Sequence, residues 1–188
     1  MSVQQFSAMD RTTINWASGT STELFIHPAK ASFAERNFQF RISTATVEAE
    51  ESTFTFFEGV TRHLMILKGN LELIHEGHYT KHLKPYEQDI FSGEWKTRSK
   101  GKVTDFNLML KEGATGLLRH QRLDGNTSVK LTASTDYYFI YLTSGLITFQ
   151  DGKLANAGDF LYLKKDSELI LYAKRASDLV LIEVSCSK

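Results

Sequence analysis

Arg41, Asp105 and Asn107 are the residues whose types and spacing suit ligand chemistry. Arg41 sits in Phe38-Gln39-Phe40-Arg41-Ile42-Ser43, where apolar and polar residues alternate. In an extended strand that places Gln39, Arg41 and Ser43 on one face. An arginine turned into a β-barrel must be paired or must bind an anion, because an unpaired buried charge is costly. Its planar fork matches a carboxylate in bidentate geometry. Asp105 and Asn107 share a face in Asp105-Phe106-Asn107-Leu108-Met109-Leu110 by the same alternation. Asn107 can offer a donor and an acceptor to an amide or formyl group. Asp105 can accept from an amide N–H or hold Arg41. If both faces point into a barrel, they line a polar cavity. The same pattern also suits an arginine on the solvent face of an edge strand, an aspartate at a strand start and a satisfied core asparagine.

Other reactive residues point to less. The chain has six histidines, and His75, His78 and His82 lie close together. A barrel metal site needs a His-x-His pair on an inward strand face, and the candidate strand Arg62-His63-Leu64-Met65-Ile66 carries one histidine. The cluster is therefore expected to be a solvated turn, with no metal and no cofactor. Cys186, near the C-terminus, has no activating neighbour in sequence. The basic run Lys96-Thr97-Arg98-Ser99-Lys100-Gly101-Lys102 has loop composition and is expected to be solvated. No Gly-rich phosphate loop, nucleophile elbow or cysteine pair is present.

Strands must position these residues, since a period of two runs through almost the whole chain. Further strands are expected at Glu23–His27, His63–Leu67, Leu71–His75, Val129–Thr132, Tyr138–Leu142, Leu146–Gln150, Phe160–Leu163, Glu168–Tyr172 and Leu179–Ser185. Asp151-Gly152 between apolar runs is the strongest hairpin signal. Ser32-Phe33-Ala34-Glu35 has capping-box spacing but room for one turn at most. Many short strands with little helix predict an all-β sandwich or barrel. A weak repeat relates Leu67–Leu73 to Leu142–Thr148, and Asp89-Ile90-Phe91 to Asp159-Phe160-Leu161. Two β units are therefore expected, 1–112 and 113–188, with Gly113–Ser128 breaking the pattern at their junction. The second unit is apolar on both strand faces and should be filled. The ligand pocket is expected in the first.

Length and charge set outer bounds. The 188 residues, 41% hydrophobic and 23% charged, suit a globular chain with its own core. Lys plus Arg and Asp plus Glu are both 22, which argues against a nucleic-acid or anionic-membrane partner. The single cysteine suits a reducing compartment. The first residues carry no signal-peptide pattern and no apolar stretch is long enough to span a membrane, so a cytoplasmic protein is expected.

An ordered set of motifs resembles the HutD/Ves family of cupin-like proteins. The set comprises Trp16-Ala17-Ser18-Gly19-Thr20-Ser21-Thr22-Glu23-Leu24, Phe40-Arg41-Ile42-Ser43-Thr44-Ala45 and Phe54-Thr55-Phe56-Phe57-Glu58-Gly59-Val60-Thr61-Arg62. Leu67-Lys68-Gly69, Asp89-Ile90-Phe91-Ser92-Gly93 and Asp105-Phe106-Asn107-Leu108-Met109 complete it. The family's longer glycine run is Ser18-Gly19 here, and its Phe-Pro-Gly-Val is Phe57-Glu58-Gly59-Val60. The resemblance implies a metal-free, bicupin-like all-β fold of two barrels that share strands. It implies an N-terminal pocket lined by Trp16, Thr22, Glu23, Arg41, Ser43, Phe54, Arg62, Asp105 and Asn107. It also implies a non-catalytic binder or regulator of histidine utilisation, with N-formylglutamate or a related small carboxylate as ligand. A metal-free cupin enzyme with Asp105 or Glu23 as general base, and a stress-associated interaction module, remain as alternatives. Edge-strand pairing leaves room for a homodimer.

Overall fold

The computed structural model describes residues 3–6, 11–111 and 113–186, and every regular element in them is a strand. The chain opens with β1 (Val3–Phe6). There follow β2 (Thr13–Trp16), β3 (Gly19–His27), β4 (Phe40–Val47), β5 (Glu51–Thr53), β6 (Thr61–Lys68) and β7 (Leu71–His75). Next come β8 (Tyr79–Leu83), β9 (Gln88–Ser92), β10 (Thr97–Lys100) and β11 (Val103–Leu110). The rest is β12 (Thr115–Leu123), β13 (Ser128–Thr132), β14 (Tyr137–Phe149), β15 (Leu154–Asn156), β16 (Phe160–Leu163) and β17 (Glu168–Ser185). No helix among the described residues is long and apolar enough to cross a membrane.

The backbone divides into two units. One spans Arg11–Ala114 and the other joins β1 to the stretch from Thr115 to Cys186. Residues 3–6, placed by the sequence within the first unit and without an expected strand, form β1, which pairs antiparallel with β16, Val3 opposite Leu163 and Phe6 opposite Phe160.

In the first unit a six-stranded sheet runs β2-β3-β4-β11-β6-β9, and a four-stranded sheet runs β5-β10-β7-β8. Alternation makes the core between them: Val47, Leu64, Ile66, Phe91 and Val103 from the first sheet pack with Leu71, Leu73 and Leu83 from the second. β4 is buried on both faces, with Phe40 and Ile42 on one and Arg41 and Ser43 on the other. The capping-box segment forms a single turn, closed by Arg36 N–H donating to the Phe33 carbonyl at 3.3 Å.

The second unit is one sheet, β1-β16-β14-β17-β12, with β13 on β17 and β15 on β14. Its interior is filled by side chains such as Tyr138, Ile140, Leu161, Leu171 and Leu181. The Asp151-Gly152 hairpin joins β14 to β15, with Ile147 opposite Ala155. Two expected breaks are absent. β14 joins the expected Tyr138–Leu142 to the expected Leu146–Gln150, ending at Phe149, and β17 joins Glu168–Tyr172 to Leu179–Ser185. The pairing of β14 with β17 shifts register between Leu142 and Ile147 but stays in the sheet. Gly145 permits this with φ +99°, and a Cβ there would lie 2.1 Å from Ser177 Oγ. The expected junction Gly113–Ser128 also holds a nine-residue strand, β12, at a sheet edge, with the polar run Arg119–Arg122 between buried Leu118 and Leu123.

β2 lies at the edge of the six-stranded sheet and carries Ile14 and Trp16, both exposed. Its hairpin with β3 needs glycine at position 19, where a Cβ would lie 1.9 Å from the Thr46 carbonyl oxygen. Gly19→Ala should therefore destabilise the protein by about 2 kcal/mol and alter Trp16 fluorescence. Thermal denaturation checks this, and an unchanged melting temperature contradicts it.

Candidate functional site

The register of four strands assembles one polar face. β11 pairs with β4 so that Asp105 faces Ala45, Asn107 faces Ser43 and Met109 faces Arg41. On its other side Met109 faces Arg62, and Asn107 faces Leu64 of β6. Directly opposed residues lie on the same sheet face, so Arg41, Ser43, Arg62, Asp105 and Asn107 all project the same way. β3 adds Glu23 opposite Ser43, just before a register shift between Glu23 and Phe25. Thr22 faces Thr44 and therefore belongs to the opposite face.

These side chains line a cavity of about 200 Å³, smaller than a drug-sized site and suited to a small metabolite. Arg41, Ser43, Asp105 and Asn107 are buried, and Arg62 is half-buried. Trp16 and Phe54 also line it. Thr22 and Glu23 do not. Thr22 Oγ1 pairs with Thr13 Oγ1 at 2.7 Å. Glu23 stands behind Arg41 and accepts from its Nε at 2.8 Å. Phe33, Phe57 and Met109 line it too, with Ile14, Ser21, Ala45, Val47, Thr53 and Thr55, and none of these was anticipated. Met109 continues the Asp105–Asn107 alternation and was legible on that ground. Phe33 and Phe57 come from loops, where no periodicity marks an inward residue.

Each arginine is held by side-chain hydrogen bonds and stacked on a ring. Arg41 donates from Nη1 to Ser43 Oγ at 2.9 Å, and its guanidinium lies 4.0 Å from the Phe33 ring centre. Arg62 donates from Nη2 to Asn107 Oδ1 at 2.9 Å and lies 4.6 Å from the Phe54 ring centre. Asn107 Nδ2 in turn donates to Asp105 Oδ1 at 2.5 Å. Arg62 Nε is buried with no hydrogen-bond partner among the described residues. Such an orphaned charged donor calls for an acceptor.

Burial dominates the electrostatics. It pushes the Asp105 carboxyl up to about 7, against the opposing pull of Arg62 and of the Asn107 hydrogen bond. It pulls Arg62 down to about 10, with Asp105 acting to raise it and Arg41 to lower it further. Arg62 therefore stays charged at neutral pH, and two guanidinium groups face one small cavity. That donor set fits an anion and does not fit a metal cation.

His75 is a correction. Leu71, Leu73 and His75 alternate inward along β7, so His75 is buried rather than a solvated turn residue. Its Nδ1 lies 2.8 Å from Thr97 Oγ1 and its Nε2 lies 3.0 Å from Asp89 Oδ2. His78 and His82 are exposed, and His78 stacks on Trp95 at 3.9 Å. Among the described residues no group of three or more His, Cys, Asp or Glu side chains is placed to hold a metal.

The raised Asp105 carboxyl predicts a pH-dependent stability. The folded state holds the proton more tightly than the unfolded chain. Stability is thus fully present below the unfolded value of 3.8 and falls as pH rises toward about 7. Asp105→Asn removes this loss. Its advantage over the parent should grow between pH 4 and 7, to on the order of 4 kcal/mol or roughly 10 °C, and then level off. Paired melting curves check this. A difference that does not change with pH contradicts it.

Comparison with known proteins agrees with this fold. An uncharacterised 21.2 kDa protein from the hutC 3′ region of Pseudomonas putida is 29% identical over 139 residues, covering 71% of this chain and 72% of that protein. A conserved protein of unknown function from Pseudomonas aeruginosa superposes with a TM-score of 0.82 at 20% identity, covering 98% of this chain and 99% of the other. HutD from Pseudomonas fluorescens does so at 0.76 and 20%, covering 99% and 100%. Oxalate decarboxylase from Bacillus subtilis, at 0.69 and 7% over 95% of this chain and 76% of its own, shows the same cupin fold in a distant setting. The fold is therefore all-β and bicupin-like, without helix among the described residues. The HutD family model matches residues 8–181, which takes in every strand that lines the cavity, and the chain belongs to the HutD family.

Proposed function

We propose that the first unit binds a small carboxylate without transforming it, and that the protein acts through this binding as a modulator of amino-acid catabolism. The observation that carries the reading is the pair of arginines. Glu23 and Ser43 hold Arg41, Asn107 holds Arg62, and both guanidinium groups line the same cavity. The partnerless Nε of Arg62 marks where an acceptor belongs. Phe33, Phe54 and Phe57 screen the site from water, which strengthens each charged contact. An amide or formyl group beside the carboxylate would meet Asn107 and Asp105. N-formylglutamate is the leading candidate, in keeping with the name of the family and with the hutC-adjacent relative.

A second reading rests on Asp105. A buried carboxyl that titrates near 7 has the pKa of an effective general acid–base at neutral pH. It calls for turnover of the bound ligand with a pH profile that Asp105→Asn abolishes.

The binding reading is tested by thermal shift with N-formylglutamate, N-formylglycine, urocanate, carbamoylated amino acids and small dicarboxylates. A ligand at about 100 times its Kd adds roughly 2.7 kcal/mol, or about 5–10 °C at this chain length. We expect such a shift, and its loss in Arg41→Ala with unchanged circular dichroism. Arg62→Lys is the companion variant, keeping the charge and removing the fork. A flat response across the panel, or full binding by both variants, contradicts the reading.

A further inference from the structure

The cavity contains its own anion close to where a ligand's charge has to sit. One side chain, Asn107, bridges Asp105 to Arg62. It accepts from Arg62 Nη2 at 2.9 Å and donates to Asp105 at 2.5 Å. The charged groups facing this cavity come from three strands: Arg41 from β4, Arg62 from β6 and Asp105 from β11. Glu23 on β3 stands behind Arg41 and is paired with it. The other lining elements bring Ile14, Trp16, Phe33, the Thr53–Thr55 segment and Phe57, none of them charged. Glu23 thus balances Arg41, and the carboxylate that lines the cavity, Asp105, is the counter-charge available to Arg62.

A ligand carboxylate placed on Arg62 meets this arrangement as a competitor. With Asp105 ionised, two anions would share one guanidinium in a poorly solvated cavity, and like charges that close do not both stay ionised. The ligand carboxylate starts from an ordinary value near 4 and gains two arginines, so it keeps its charge. Asp105 is already raised to about 7 by burial, and a neighbouring anion raises it further.

We infer that the site takes up its carboxylate ligand together with one proton from solvent, that Asp105 carries this proton, and that the neutral acid then donates its O–H to a carbonyl oxygen of the ligand. The inference rests on the carboxylate reading above and adds the ligand's chemistry. It makes Asp105 the specificity-determining residue. The ligand class is a carboxylate with a neutral acceptor, such as an amide or formyl oxygen, beside it. A second carboxylate directed at Asp105 is disfavoured. The pH dependence follows in sign. Below about pH 7 the free site already holds the proton, and affinity is flat. Above that value each bound ligand must draw a proton from water, and affinity falls up to tenfold per pH unit.

The test is calorimetric titration of the full chain with N-formylglycine and with formate. At pH 8 it is run in two buffers of different ionisation enthalpy, and at pH 6 for reference. We expect about 0.9 proton taken up per ligand at pH 8, little at pH 6, and none at either pH in Asp105→Asn. The wild-type proton count needs no variant, so equal heats in the two buffers overturn the linkage even if Asp105→Asn fails to fold. Binding with equal heats in the two buffers at pH 8, or uptake that persists in Asp105→Asn, overturns the proton linkage alone. Failure of both probes to bind at pH 6 overturns the carboxylate reading and the linkage with it.

Discussion

Two guanidinium groups in one small, ring-walled cavity form the constraint on which the N-terminal unit turns. Placing like charges together away from water is unfavourable unless each is hydrogen-bonded and the pair is offset by negative charge. The protein meets part of that need internally. Glu23 and Ser43 hold Arg41, Asn107 links Arg62 to Asp105, and the rings of Phe33 and Phe54 lie against the guanidinium faces. The offset is incomplete, since Arg62 Nε has no acceptor among the described residues and burial holds Asp105 near neutrality as a partly protonated acid. A cavity with surplus positive charge and an unused donor is prepared for an anion.

The sheet is what makes so exacting an arrangement possible. Residues directly across β4, β11 and β6 share a face, so five polar groups converge without any loop having to place them. The opposite faces of β4 and β11 are buried and apolar, with Phe40, Ile42, Phe106 and Leu108 fully covered. Strands covered on both sides have little freedom to twist or slip, which favours a preorganised site. The second unit shows the contrast. The matching interior is filled by leucine, isoleucine and tyrosine side chains, and the repeat has kept the frame there without this polar face.

Legibility followed periodicity. Arg41, Ser43, Asp105 and Asn107 lie on regular strands, and alternation alone placed them on shared faces. Thr22 was carried by the family motif rather than by parity, and its neighbour across the sheet, Thr44, puts it on the wrong side. Glu23 sits one residue along, on the inward face, yet is taken up by Arg41 before it reaches the cavity. Phe33 and Phe57 were illegible because loops have no period. His75 continues the Leu71, Leu73 alternation into the core although it directly precedes the Glu76-Gly77-His78 turn, whose composition is that of a solvated turn. At Gly145 a glycine read as a break is a bulge, since a local sequence does not say whether the partner strand follows the bend. In β17 the polar Lys174–Asp178 stretch was read as a gap and is strand, paired with β14 and β12.

The most direct measurement of the central claim is heteronuclear NMR of the arginine Nε–H groups during titration with N-formylglutamate. If the arginine pair receives the carboxylate, the Arg41 and Arg62 resonances shift together and saturate with one dissociation constant. The exposed Arg98 and Arg119 should stay in place. Saturable binding that leaves Arg41 and Arg62 unmoved, or shifts confined to surface arginines, would contradict the account.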